Sequence, residues 1–258
     1  MESAGISLMR DRGMMNIAVI FAGGVGCRMN SKVLPKQFLL MHGKPIIIHT
    51  LERFDRHPEI DGIVISCIEP WIGHLEELVR QYNLQKVISI VPGGQTGQLS
   101  IYNGLLAAEK ASHGEKAIVL IHDGVRPLID EKLIHDNIEN VKRYGSAITC
   151  VKVSETVLLL EEADENSIRH IPNRKSARLA RAPQSFRLED ILAAHRSALE
   201  DEAYDFIDSC SLMQAYGRKM YLIEGNLENI KITTPDDFYV MRALLDARED
   251  SQIYGLPD

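Results

Sequence analysis

Glycines followed by cations are what a chain needs to hold a run of phosphates and stabilise charge on it, and residues 22–37 supply both. The segment Ala22-Gly23-Gly24-Val25-Gly26-Cys27-Arg28-Met29 follows the apolar run Ile17–Phe21. Gly23, Gly24 and Gly26 open backbone conformations closed to other residues and let phosphates approach main-chain N–H groups. Arg28, Lys32 and Lys36 then set positive charge beside them, with Leu34-Pro35-Lys36-Gln37 as a proline-stiffened turn. A triphosphate needs such charge around the phosphorus under attack. Two other readings fit the same loop: a dinucleotide site, or a tight turn beside a solvated basic stretch. The dinucleotide reading loses its third glycine, because Met29 follows Arg28, and no Walker lysine-serine pair follows.

A second constellation is His122-Asp123-Gly124-Val125-Arg126-Pro127, directly after the apolar run Ala117–Ile121. An acid at the carboxyl end of a central strand stands where ligands bind in an open α/β sheet. Asp123 could hold Mg²⁺ against phosphate oxygens while Arg126 pairs an anionic substrate; a helix cap with a salt bridge is the blander alternative. His122 is read as a core histidine rather than a metal ligand. Gly93-Gly94-Gln95-Thr96-Gly97-Gln98-Leu99-Ser100 suits backbone recognition of a base or ribose, and equally a plain glycine-rich turn. In Asn229-Ile230-Lys231-Ile232-Thr233-Thr234-Pro235, Thr234 can cap a helix opening at Pro235, and Lys231 could reach a phosphate.

The elements that must carry these groups alternate. Apolar runs at 17–21, 63–67, 87–91, 117–121 and 147–151 read as strands buried on both faces. Helical patterns at 45–54, 70–82, 100–111 and 130–144 lie between them, which predicts a mainly parallel, doubly wound sheet. After Cys150 the order breaks. A strand at 156–160, an acidic turn at 161–166 and a return at 167–171 predict a protruding β-hairpin arm near 153–175. Helices at 188–197 and 205–216, a strand at 220–224 and a helix at 235–247 complete the chain. Residues 1–14 read as a disordered leader, with a single domain over 15–250.

Composition narrows the function classes. The 258 residues carry a net charge of −7, which argues against general nucleic-acid binding, since that runs on clustered lysine and arginine. No apolar stretch is long enough to span a membrane. The four cysteines form no C-x-x-C pair, and Cys67 and Cys150 sit in strand-like runs as reduced core thiols, as expected in the cytoplasm.

Taken together, A-G-G-x-G-x-R-M, P-K-Q-F, G-G-x-x-x-x-x-S, H-D-x-x-R-P, A-P-Q-S-F and N-I-K-I-T-T-P-x-D resemble the polyol-phosphate cytidylyltransferases. The likeness runs in order over nearly the whole chain. That family includes 2-C-methyl-D-erythritol 4-phosphate and ribitol-5-phosphate enzymes. Ala22-Gly23-Gly24 and Trp71-Ile72-Gly73-His74 are more similar to the ribitol-5-phosphate branch. The resemblance implies a Rossmann-like nucleotidyltransferase fold and a Mg²⁺-assisted reaction of CTP with ribitol 5-phosphate that gives CDP-ribitol and pyrophosphate. The methylerythritol reaction and a non-catalytic nucleotide-binding homologue are the alternatives.

By the same resemblance Arg28, Lys36 and Lys231 would be catalytic. Ala22, Gly23, Gly94 and Ser100 would hold the cytidine, alongside Gly24 and Gly26 of the loop. Asp123 would bind the metal, a substrate (the nucleotide included) or both. Arg126 and Thr156 would face the acceptor. Arg174 would do so from a neighbouring subunit, through the arm of a homodimer. Cys27 would be a spectator. Two positions depart from the family pattern: Gly97 stands for the usual arginine of the base-binding loop, and Ala182 for a threonine.

Overall fold

The computed structural model describes residues 13–23 and 34–254. The expected leader up to Arg12 lies outside them, as do Gly24, Gly26, Cys27, Arg28 and Lys32. Met14, which that leader was expected to include, is half-buried against the main core.

A seven-stranded sheet has the order β11-β7-β10-β6-β1-β4-β5. Its strands are β1 (Met15–Ala22), β4 (Gly62–Cys67), β5 (Val87–Pro92), β6 (Ala117–Asp123), β7 (Ser146–Lys152), β10 (Arg178–Arg187) and β11 (Leu222–Glu224). The pairs β1–β4, β1–β6, β4–β5 and β7–β11 are parallel. Every residue of β4 and β6 is buried, as the continuous apolar runs required. Helices α1 (Ile46–Arg56), α2 (Ile72–Gln81), α3 (Gly97–Ala111), α4 (Glu131–Tyr144) and α5 (Leu188–Glu200) cover the two faces. They enclose one large apolar cluster on each side of the sheet.

Local chemistry sets the helix ends. Asp130 accepts from the Leu133 N–H at 2.7 Å to open α4, and Gly145 closes it in the left-handed region at φ 87°. Thr96 caps α3, so that helix begins three residues before the predicted Ser100. Pro70 falls in a 3-10 turn, and α2 proper starts at Ile72. The helix expected from Asp205 starts only at Ser209 (α6, Ser209–Ala215). Asp208 spends its carboxylate on the Ser211 N–H, and residues 205–208 stay a loop. At the chain's end α7 (Pro235–Tyr254) opens with a reciprocal cap. The Thr234 hydroxyl accepts from Asp237 N–H at 3.3 Å, and the Asp237 carboxylate accepts from Thr234 N–H at 2.7 Å.

Two features depart from expectation. Strand β10 runs antiparallel between β6 and β7 and was not predicted. It contains Pro183 and several charged residues, which argue against a central strand; the ladder accommodates them by shifting register between Ala180 and Gln184. The arm is present as a separate two-stranded sheet, but its strands are β8 (Leu159–Glu161) and β9 (Asp164–His170). Thr156 therefore lies in a loop, and only residues 162–163 turn. With no core beneath the arm, acidic Asp164 and Glu165 stand inside a strand at no burial cost. The remaining strands, β2 (Leu40–Met41) and β3 (Lys44–Pro45), form a small hairpin before α1.

Candidate active site

Asp123 ends β6 with its side chain buried, at the carboxyl edge of the sheet beside β1. Two cations hold it. Lys231 Nζ lies 2.5 Å from Oδ1, and Arg126 Nε donates to Oδ2 at 3.2 Å. Burial pushes the Asp123 carboxyl up, but the Lys231 ammonium and the Arg126 guanidinium outweigh it and hold the group at about 2. The carboxylate is thus ionised at any working pH. Oδ1 is paired by the Lys231 ammonium and Oδ2 by the Arg126 guanidinium.

Lys231 comes from the far end of the chain, and packing explains its arrival. Ile232, its neighbour, is fully buried with Met41, Ile46, Val125, Leu128 and Met241, and donates its N–H to Val125 O at 3.0 Å. Lys36 joins the same segment, donating to Ile232 O at 3.1 Å. The next residue, Gln37, is buried and donates to Ala22 O at 2.7 Å. The P-K-Q-F turn therefore ties the first loop to the 229–234 loop. Phe38 fixes that turn from below, its ring stacked on Trp71 at 5.1 Å.

Ser100, Gly94 and Gly23 meet by the carboxyl end of β1. Ser100 is buried, donates to Thr96 O at 2.9 Å and accepts from Gly94 N–H at 3.0 Å. Its hydroxyl shapes the loop from within. A Cβ on Gly23 would sit 2.8 Å from Ser100 Oγ, and one on Gly94 would sit 2.4 Å from Leu99 Cβ. These glycines serve close packing, and neither has a positive φ.

A cavity of about 360 Å³ opens beside Asp123, Arg126 and Lys231, and Ala22, Gly23, Lys36, Gly94 and Ser100 do not line it. Phe21, Gly97, Asp123, Arg126, Ala182 and Lys231 line it, together with Arg181, Gln184 and Asp208, which sequence reasoning did not single out. The signal for Arg181 was a cation directly before the Ala182-Pro183-Gln184 motif. Larger clefts of about 530 and 970 Å³ lie by Lys116 and along the edge strand β5. Asp123, Arg126 and Lys231 line neither; they sit by the carboxyl end of β6, the end at which doubly wound sheets bind their ligands.

Thr156 and Arg174 stand apart. Both are exposed, neither lines the cavity, and Arg174 donates to Ser154 O at 2.8 Å within the arm's own base. His122 is fully buried, edge-on to Phe54 with ring centroids 5.1 Å apart, and burial lowers it to about 4. It is a core histidine, as expected. Cys67 and Cys150 are buried free thiols. Among the described residues no cluster of three acidic, histidine or cysteine side chains could hold a metal, and no helix is long and apolar enough to cross a membrane.

The family model IspD: 2-C-methyl-D-erythritol 4-phosphate cytidylyltransferase matches residues 16–247. The chain belongs to this family. The ribitol-5-phosphate cytidylyltransferase of Streptococcus agalactiae serotype V is 53% identical over 243 residues, 94% of this chain and 100% of that protein. The 2-C-methyl-D-erythritol 4-phosphate cytidylyltransferase of Clostridium acetobutylicum is 40% identical over 232 residues, 90% of this chain and 97% of that protein. The crystal structure of 4-diphosphocytidyl-2C-methyl-D-erythritol synthase from Anaerococcus prevotii superposes with a TM-score of 0.77 at 28% identity, covering 91% of this chain and 99% of that one.

Proposed function

We propose that this protein is a cytidylyltransferase that joins CTP to ribitol 5-phosphate, giving CDP-ribitol and pyrophosphate. The observation that carries the reading is the convergence of Asp123, Arg126, Lys231 and Lys36 at the carboxyl end of β6, from three distant stretches of sequence. The likeness at 53% identity to a protein of that name supports ribitol 5-phosphate as acceptor. The family description and the 40% relative supply the competing acceptor, 2-C-methyl-D-erythritol 4-phosphate.

In this reading an oxygen of the acceptor phosphate forms a bond to the α-phosphorus of CTP, and the bond to the bridging oxygen of pyrophosphate breaks. The nucleophile is already an anion, so no general base is needed. The protein's work is to bring two anions together and stabilise charge as it moves. Lys36 and Lys231 supply fixed positive charge, and Asp123 fixes Lys231. Mg²⁺ fits the donor chemistry as one ionised carboxylate, Asp123, plus nucleotide phosphates and water, with the ion sharing Oδ1 with the Lys231 ammonium. When bound, the ion would lower repulsion among the phosphates.

The arm extends the proposal to a homodimer. Leu158, Leu159, Leu160, Ile168, Ile171 and Leu179 are all exposed on it or at its base, an apolar surface that a second copy would cover. Thr156 and Arg174 would then act in the partner's site. The cytoplasm is the compartment we assign, from the free thiols. The test is pyrophosphate release with CTP, UTP or ATP against a panel of polyol phosphates. The highest kcat/KM is expected for CTP with ribitol 5-phosphate, and a higher value with 2-C-methyl-D-erythritol 4-phosphate would reassign the acceptor.

A further inference from the structure

The ladder between β10 and β7 pairs Ala180 with Cys150, then resumes at Gln184 with Ile148. Arg181, Ala182 and Pro183 fall in the gap. On its other side β10 pairs Gln184 with Ile121, two residues before Asp123. Such a break re-aims side chains beside a site, and it delivers Arg181 to the cavity wall with Asp123, Arg126 and Lys231.

The guanidinium is held by one nitrogen. Nη1 lies 2.9 Å from Leu227 O, 3.0 Å from Asn229 O and 3.4 Å from Asn226 O. Nη1 carries two hydrogens, so these carbonyls share them. Arg126 Nη1 donates to the same Asn229 O at 2.7 Å, which draws the two arginines together. Nε and Nη2 of Arg181 have no partner among the described residues, and no carboxylate there forms a salt bridge with it. Asp123 is taken by Lys231 and Arg126. Asp208, on the same cavity, is taken by Gln184 and Ser211. Burial and then Arg126 lower the Arg181 guanidinium, and no acid raises it. A half-buried cation facing a like charge, with its bidentate edge free, is costly unless an anion completes it.

We propose that Arg181 is an acceptor-binding residue, which takes the phosphate monoester of the polyol phosphate on its Nε–Nη2 edge and selects for a dianionic acceptor. The inference rests on the nucleotidyl-transfer reading above. Its rival is a strut that only holds the 226–229 loop.

The experiment compares wild type, Arg181→Gln and Arg181→Lys in pyrophosphate release with CTP and ribitol 5-phosphate, alongside Tm. Arg181→Gln is expected to raise the acceptor KM roughly 30- to 100-fold, with the CTP KM within about twofold of wild type. Arg181→Lys keeps the charge without the planar fork and is expected to fall between them. An acceptor KM unchanged in Arg181→Gln overturns the proposal. So does a parallel rise of both KM values with a fall in Tm, the signature of a strut. A wild-type protein that transfers to no polyol phosphate would instead sink the functional reading, and this inference with it.

Discussion

Asp123 and Arg174 differ in how much of their surroundings one chain provides. Around Asp123 the chain completes itself: two cations pair the carboxylate, Asn229 O ties Arg126 to Arg181, and Ile232 packs the Lys231 loop onto the body. Around Arg174 almost nothing is enclosed. The arm buries no side chain between Leu158 and Arg181, exposes its aliphatics and holds Arg174 only to a neighbouring carbonyl. A pocket organised by ion pairs is already set for anions before they arrive. In the proposed dimer a second copy would cover the arm's unburied apolar surface, and Thr156 and Arg174 would act only there.

The sharpest way to break this contrast is inside the pocket. Asp123→Asn removes the charge that Lys231 and Arg126 share, and kcat/KM is expected to fall about 10³-fold, or ~4 kcal/mol of transition-state stabilisation. Steady-state pyrophosphate release checks it. Retention of more than a tenth of the activity would show that the ion pairs are scaffolding alone.

A smaller effect probes the body's burial. His195 is buried, stacked on Tyr102 at 5.5 Å, and burial lowers it from 6.5 to about 4. The unfolded chain therefore binds more protons than the folded one between those values, so stability falls as pH drops through that window. At about pH 4.5 the cost is about 2 to 3 kcal/mol. Tm should decline on acidification, and less steeply in His195→Phe. Equal slopes in both proteins would remove His195 as a cause. The arm, with no buried histidine, contributes nothing to this term.

The smallest effect tests the arm. Arg174→Ala is expected to cost roughly 10- to 30-fold in kcat/KM with Tm unchanged. Co-refolded in equal amounts with Asp123→Asn, it should restore about a quarter of wild-type activity, because half the dimers then carry one intact site. No recovery above either variant alone would place Arg174 outside the partner's site.

Much of this was legible in the sequence for identifiable reasons. Strands buried on both faces write themselves as unbroken apolar runs, so β1, β4, β6 and β7 were readable, and His122-Asp123 with them. Ser100 and Gly94 stood out as a glycine-rich turn before a helix; in the structure Ser100 accepts from Gly94 N–H and packs against Gly23. Strand β10 was illegible because Pro183 and its charges contradict a central strand, and only the register shift resolves the conflict. Arg181 was hidden by that same irregularity. Thr156 was placed in a strand because alternating residues in an unpacked arm carry no burial signal.

The central claim is transfer of a cytidylyl group, and ³¹P NMR of the full-length protein with CTP, Mg²⁺ and ribitol 5-phosphate tests it most directly. The account predicts that the acceptor's monoester resonance disappears as a pair of coupled diphosphate-diester resonances and free pyrophosphate grow together. CTP left intact, or CTP hydrolysed while the monoester resonance stays, would contradict it.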